Sequence, residues 1–139
     1  MSLKIEAISK NEAFARSVVA AFCASVNPTV DQLSDIKTAV SEAVTNSIVH
    51  GYGDKGGMIE INARLQERSV HIEILDEGVG IADIEKARTP FFTTRAGDER
   101  SGMGFTVMES FMDALTVKAR PGSGLLIAMS KNFDMNTSA

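Results

Sequence analysis

Cysteine occurs once in 139 residues, tyrosine once and tryptophan not at all. A lone thiol cannot close an intrachain disulfide, and Cys23 falls in an apolar helical stretch where a buried cysteine is the ordinary expectation. The three prolines are too few for a proline-rich linker, and no repeat or low-complexity tract interrupts the chain. No apolar run approaches the roughly 20 residues needed to cross a bilayer. The opening Met1-Ser2-Leu3-Lys4-Ile5-Glu6 lacks the charged and apolar regions of a secretory leader, so a cytoplasmic protein without membrane contact is expected. Positive charge is not in excess: 14 Lys and Arg face 18 Asp and Glu, a formal net charge of -4. That balance gives no long-range attraction to nucleic-acid phosphates, so no direct nucleic-acid partner is expected.

What is present fits one folded unit. A hydrophobic content of 44% and a charged content of 23% are ordinary for a globular domain. We assign residues 1–133 to it, with 134–139 as a disordered tail. Leu3 to Ile8 alternates weakly and predicts a strand; Ser9 then opens a helix from Asn11 to Val26 with Phe14, Val18, Ala21 and Phe22 on its inner face. Pro28 interrupts it, and Thr29 or Asp31 starts a second helix, on which Leu33, Ile36, Val40, Val44 and Ile48 recur at helical spacing to about Tyr52. Gly51, Gly53, Gly56 and Gly57 end that helix.

Two hairpins follow. Ile59, Ile61, Ala63 and Leu65 alternate, as do Val70, Ile72 and Ile74, and the short connection between them makes the pair antiparallel. Leu115–Ala119 and Leu125–Met129, joined through Gly122-Ser123-Gly124, repeat the arrangement. Between the hairpins, residues 83–101 carry breakers without sustained periodicity and read as a long functional loop, followed by a helix from Met103 to about Met112. The predicted fold is a two-layer α/β sandwich with helices on one face of a mixed, mostly antiparallel sheet.

Three clusters carry chemistry. At about 100° per residue, Glu42, Asn46 and His50 form one stripe of the second helix. An asparagine oxygen suits magnesium, which keeps several waters and shares substrate phosphates. A carboxylate one turn away can take the proton of an attacking hydroxyl. Taken alone, such a stripe is more often the solvated face of an amphipathic helix. Asp76 ends an apolar strand, where its carboxylate can accept a hydrogen bond from the exocyclic amine of adenine, and Gly78 and Gly80 let the backbone pass beside a planar base. A glycine turn capped by aspartate is the structural alternative. In the third cluster, Arg100-Ser101-Gly102-Met103-Gly104, glycines stand where a loop meets a helix start, so unpaired amides and an arginine can meet phosphate oxygens. No lysine-bearing P-loop signature is present.

In this order the clusters resemble the ATP-binding domain shared by DNA gyrase, heat-shock chaperones, mismatch-repair proteins and histidine kinases, the Bergerat-type fold. The likeness covers nearly the whole chain. The longer runs SEAVTNSIVHGY from Ser41, PFFTTR from Pro90 and ERSGMGFTVMESFMD from Glu99 are similar to the anti-sigma-F family of sporulation serine kinases. The resemblance implies ATP and Mg2+ as cofactors, Glu42 as catalytic base and Asn46 as metal ligand. Asp76 would read adenine, while Gly78, Gly80, Thr94, Arg100, Ser101, Gly102, Met103 and Gly104 would form the nucleotide pocket. It further implies a homodimer that binds a sporulation sigma factor and phosphorylates a serine of an anti-sigma-factor antagonist, with Arg16 at a partner-contact position.

Leu125 departs from the pattern, since many superfamily members carry threonine there; Ser123 is the nearest hydroxyl. Two other functions share the motifs: a nucleotide-gated sigma-binding module with negligible catalysis, and a stress-response anti-sigma kinase. A detached piece of a larger ATPase or histidine kinase is a third, which the chain supports little.

Overall fold

The computed structural model describes residues 1–53, 55–81 and 104–134. Strand β1 (Ser2–Glu6) leads into helix α1 (Lys10–Cys23), which tightens into a 3-10 turn at Ala24–Val26. Asn27, in the left-handed conformation at φ 53°, ends that turn. Helix α2 (Val30–Asn46) starts at Thr29 through a reciprocal capping box. The Gln32 amide donates to the Thr29 hydroxyl at 3.0 Å and the Thr29 amide to the Gln32 side chain at 2.8 Å. A π-helical turn, Ser47–Gly51, follows directly.

Strands β2 (Met58–Gln66) and β3 (Ser69–Asp76) form the first hairpin, helix α3 spans Gly104–Phe111, and β4 (Ala114–Ala119) and β5 (Leu125–Asn132) form the second. The sheet order is β1-β2-β3-β5-β4. The mixed, mostly antiparallel sheet expected above is sharper than predicted: every pairing among the described strands is antiparallel.

Alternation decides which face is dry. Ile59, Ile61, Val70, Ile72, Ile74, Ile127 and Met129 are buried against α1, α2 and α3, and the intervening positions face outward. Two polar residues keep the buried parity, Asp76 after Ile74 and Lys131 after Met129, and both are buried.

The inner face predicted for α1 is displaced. Ala15, Val19, Ala20 and Cys23 are buried, while Phe14 is 50% exposed and Phe22 packs at the margin of the core. Small side chains there allow α1 to approach Ala39, Val40 and Ala43 of α2 closely, which a row of phenylalanines would prevent. At the other terminus Asp134 accepts a hydrogen bond from Arg68, and the remainder of the expected tail lies outside the described residues.

Candidate active site

The end of α2 holds the site together. Its buried stripe runs Ile36, Val40, Ala43, Val44 and then Ser47, a hydroxyl where the pattern calls for an apolar residue. A buried polar group needs a partner. Ser47 finds one in Asp76, donating to Oδ2 at 2.8 Å, and the Gly78 amide donates to Oδ1 at 2.9 Å. A carboxylate has about four lone-pair sites, so Asp76 keeps acceptor capacity beyond these two bonds.

Glycines crowd this carboxylate for steric reasons. A Cβ on Gly51 would stand 3.1 Å from both Cγ and Oδ2 of Asp76, and one on Gly78 would stand 2.0 Å from the Gly51 carbonyl oxygen. Gly124, at φ +106°, leaves no room either, since its Cβ would lie 2.1 Å from the Asp76 carbonyl oxygen. The Asp76 carbonyl also accepts from Arg120 at 2.8 Å, and the Val79 amide donates to the Gly51 carbonyl at 2.8 Å. Gly80, at φ +73°, adopts a conformation that side chains disfavour.

Tyr52 completes the frame. Its hydroxyl donates to the Met58 carbonyl at 2.5 Å and accepts from the Glu77 amide at 2.8 Å, tying the helix end, β2 and the turn after β3 into one body. Ser47, Gly51, Tyr52 and Gly124 were not singled out from sequence as site residues. Ser47 was legible, because it occupies a core position of α2 while being polar; Tyr52 and Gly124 carried no such signal.

The first cluster also approaches Gly104, the one described residue of the third. The Oε2 atom of Glu42 stands 3.6 Å from where a Cβ on Gly104 would lie, so the catalytic-base candidate faces the first residue of α3. Asn46 is half-buried, one turn beyond Glu42 and adjacent to Ser47, between the two contacts. His50 stands on the turn that follows α2. The α-helix ends at Asn46 and the backbone winds as a π turn from Ser47. Thr94, Arg100, Ser101, Gly102 and Met103 lie outside the described residues.

A cleft of about 330 Å³ between α1 and α2 opens onto Glu42 and is lined by Ser9, Glu12, Ser41 and Thr45. Arg16 stands beside it, paired with Glu12 at 2.5 Å and 3.4 Å from the Ser41 hydroxyl. A larger hollow, about 460 Å³, lies on the outer sheet face around Asn62, His71 and Glu73 and contains none of the candidate residues. Leu125 is buried in the core opposite Asp76, so it offers no hydroxyl to a ligand; Ser123 instead donates to the Gly78 carbonyl.

The donor set fits magnesium bound together with a nucleotide. Asn46 supplies one hard neutral oxygen, and among the described residues no group of three His, Cys, Asp or Glu side chains is arranged to hold a metal. No helix of the described residues is long and apolar enough to cross a membrane.

The model of a histidine kinase-like ATPase domain matches residues 6–131. An anti-sigma F factor of Caldanaerobacter subterraneus subsp. tengcongensis is 54% identical over 136 residues, covering 98% of this chain and 95% of the relative. The anti-sigma F factor of Clostridium acetobutylicum is 53% identical, covering 96% and 93%. Among solved structures, the catalytic domain of the histidine kinase ThkA superposes with a TM-score of 0.61 at 16% identity, covering 96% of both chains. The RsbU and RsbW domains of a Mycobacterium tuberculosis protein give 0.63 at 16% identity, covering 95% of this chain and 32% of that one. At such identities the superpositions speak for the fold alone.

Proposed function

Because the chain belongs to the histidine kinase-like ATPase family, and within it to the anti-sigma F factors, we propose that it is an ATP-dependent serine kinase. In this reading it binds a sporulation sigma factor and phosphorylates a serine of an anti-sigma-factor antagonist. The observation that carries the reading is the double contact of one helix end. Within a few residues of α2 and its π turn, Glu42 faces the start of α3 and Ser47 holds Asp76.

A nucleotide bridging those contacts would place its adenine at Asp76 and its phosphates toward Gly104. Asp76 accepts from the adenine amine, which guanine lacks at that position. Glu42 takes the proton of the acceptor serine as the serine oxygen bonds to the γ-phosphorus, and the bond from that phosphorus to the β–γ bridging oxygen breaks, leaving ADP. Asn46 would hold magnesium together with the phosphates, and the metal would supply charge neutralisation for the transferring group. The cleft beside Glu42 gives the acceptor side chain a route to the carboxylate. Arg16 at its rim suits a partner contact, and the homodimer belongs to the same reading.

Incubating the protein with labelled ATP, magnesium and the antagonist tests this reading. Label on an antagonist serine is the expected result. Intact ATP binding without serine phosphate leaves only a nucleotide-gated sigma-binding module.

A further inference from the structure

Among the described residues, four polar side chains are buried: Gln32, Ser47, Asp76 and Lys131. The first belongs to the cap of α2, and the next two satisfy each other at the site. Lys131 has no part in either. Strand alternation places it on the core face, where the preceding positions are Leu125, Ile127 and Met129 and where an apolar residue would pack at lower desolvation cost.

Its ammonium has two partners on two helices. It donates to the carbonyl of Phe111, the last residue of α3, at 2.8 Å, and lies 3.3 Å from the Asp35 carboxylate in the first half of α2. A cation at a helix C-terminus also meets the negative end of the helix dipole. α3 packs on α2. Along that packed interface Glu42 approaches Gly104, about two turns from the Lys131 bridge on each helix. The two helices therefore run antiparallel, joined at one end by Lys131 and meeting at the other in the site. Asp113 also anchors the chain after α3, through its amide to the Ser130 carbonyl at 2.9 Å and its carboxylate to the Asn132 amide at 2.6 Å, but both bonds end on β5.

We propose that Lys131 is a positioning residue, a clamp that fixes where the Gly104 end of α3 stands against Glu42 and so shapes the phosphate half of the site. The proposal rests on the ATP-binding reading above. The Lys131 cation joins a carbonyl on one helix to a carboxylate on the other, and an eight-residue helix of about 12 Å carries a displacement at Phe111 directly to Gly104. Misplacement by about 1 Å can cost on the order of a hundredfold in rate. The adenine half is built by Ser47, Gly51 and Gly78, none of which touches the clamp.

Lys131→Met keeps length and removes charge. The expected result is a fall of about tenfold or more in ATP affinity, with adenosine affinity, followed by NMR, within twofold of wild type. Lys131→Arg restores most of the loss, and Asp35→Asn, on a partly exposed side chain, gives an intermediate loss and carries the test if the methionine variant fails to fold. Unchanged ATP affinity, equal losses for ATP and adenosine, or no recovery with arginine overturns the proposal. Amide hydrogen exchange across 104–111 without nucleotide supplies an independent arm, faster exchange in Lys131→Met being expected and unchanged exchange sinking the clamp. If the wild type binds no ATP, the functional reading fails and the exchange arm alone decides on the clamp.

Discussion

The hydroxyl of Ser47 donates a 2.8 Å hydrogen bond to Asp76, and both residues are buried although 29 positions separate them. This bond joins the end of α2 to the end of β3 and fixes one side of the carboxylate, while the Gly78 amide fixes the other. In Ser47→Ala the Asp76 oxygen loses a donor without gaining water. The expected cost is about 1–3 kcal/mol of stability, with ATP affinity reduced about tenfold as the carboxylate loses its orientation. Thermal melting and calorimetric titration measure the two effects, and wild-type affinity in the variant would remove Ser47 from the site.

Glu42→Gln preserves size and removes the proton acceptor. Phosphoryl transfer to the antagonist is expected to fall by about 10²–10⁴, with sigma-factor capture in a pull-down unchanged. Retained kinase activity assigns the base to another residue.

Asn46 is half-buried and carries little of the core. Asn46→Ala is therefore expected to melt within a few degrees of wild type while losing the magnesium dependence of ATP binding. Titrations with and without magnesium check this, and an undiminished response to the metal contradicts the ligand assignment.

Gly78 and Gly53 separate steric exclusion from backbone preference. A Cβ at Gly78 would collide with the Gly51 backbone, whereas Gly53, at φ +59°, has nothing among the described residues within 4 Å of its Cβ position. Gly78→Ala is expected to cost about 3 kcal/mol and to abolish nucleotide binding. Gly53→Ala should cost about 1–2 kcal/mol and spare binding. Equal effects in denaturant titrations would refute the crowding argument.

Burial raises the Cys23 thiol to about 11. The unfolded chain ionises at the ordinary value of 9.0 while the folded chain holds its proton, so folding stability is full below pH 9 and falls as pH rises toward 11. The loss attributable to this thiol is about 2–3 kcal/mol at the upper end. The difference in alkaline stability between wild type and Cys23→Ala measures it, and parallel pH profiles would contradict the prediction.

Much of this was readable because β-structure has a period of two. The hairpins, their connections and the dry face all follow from Ile59, Ile61, Ile72, Ile74 and Ile127 falling on alternate positions. Asp76 and Lys131 could be recognised as polar residues in core register by the same rule. Helices tolerated more error. On α1 the burial of Ala15, Val19 and Cys23 in place of Phe14 and Val18 depends on how closely α2 approaches, which periodicity does not encode. On α2 the change of the backbone to a π turn after Asn46 is likewise not encoded in the periodicity.

By itself the sequence determined the order of elements, the alternation that makes one sheet face dry, and the polar residues that had to find partners inside. Only the tertiary structure decided which partners those were: Asp76 for Ser47, and Phe111 with Asp35 for Lys131. The reason is physical. Local propensity acts over a few residues, whereas the pairing of buried polar groups is settled when distant segments lose water together and each donor must meet an acceptor.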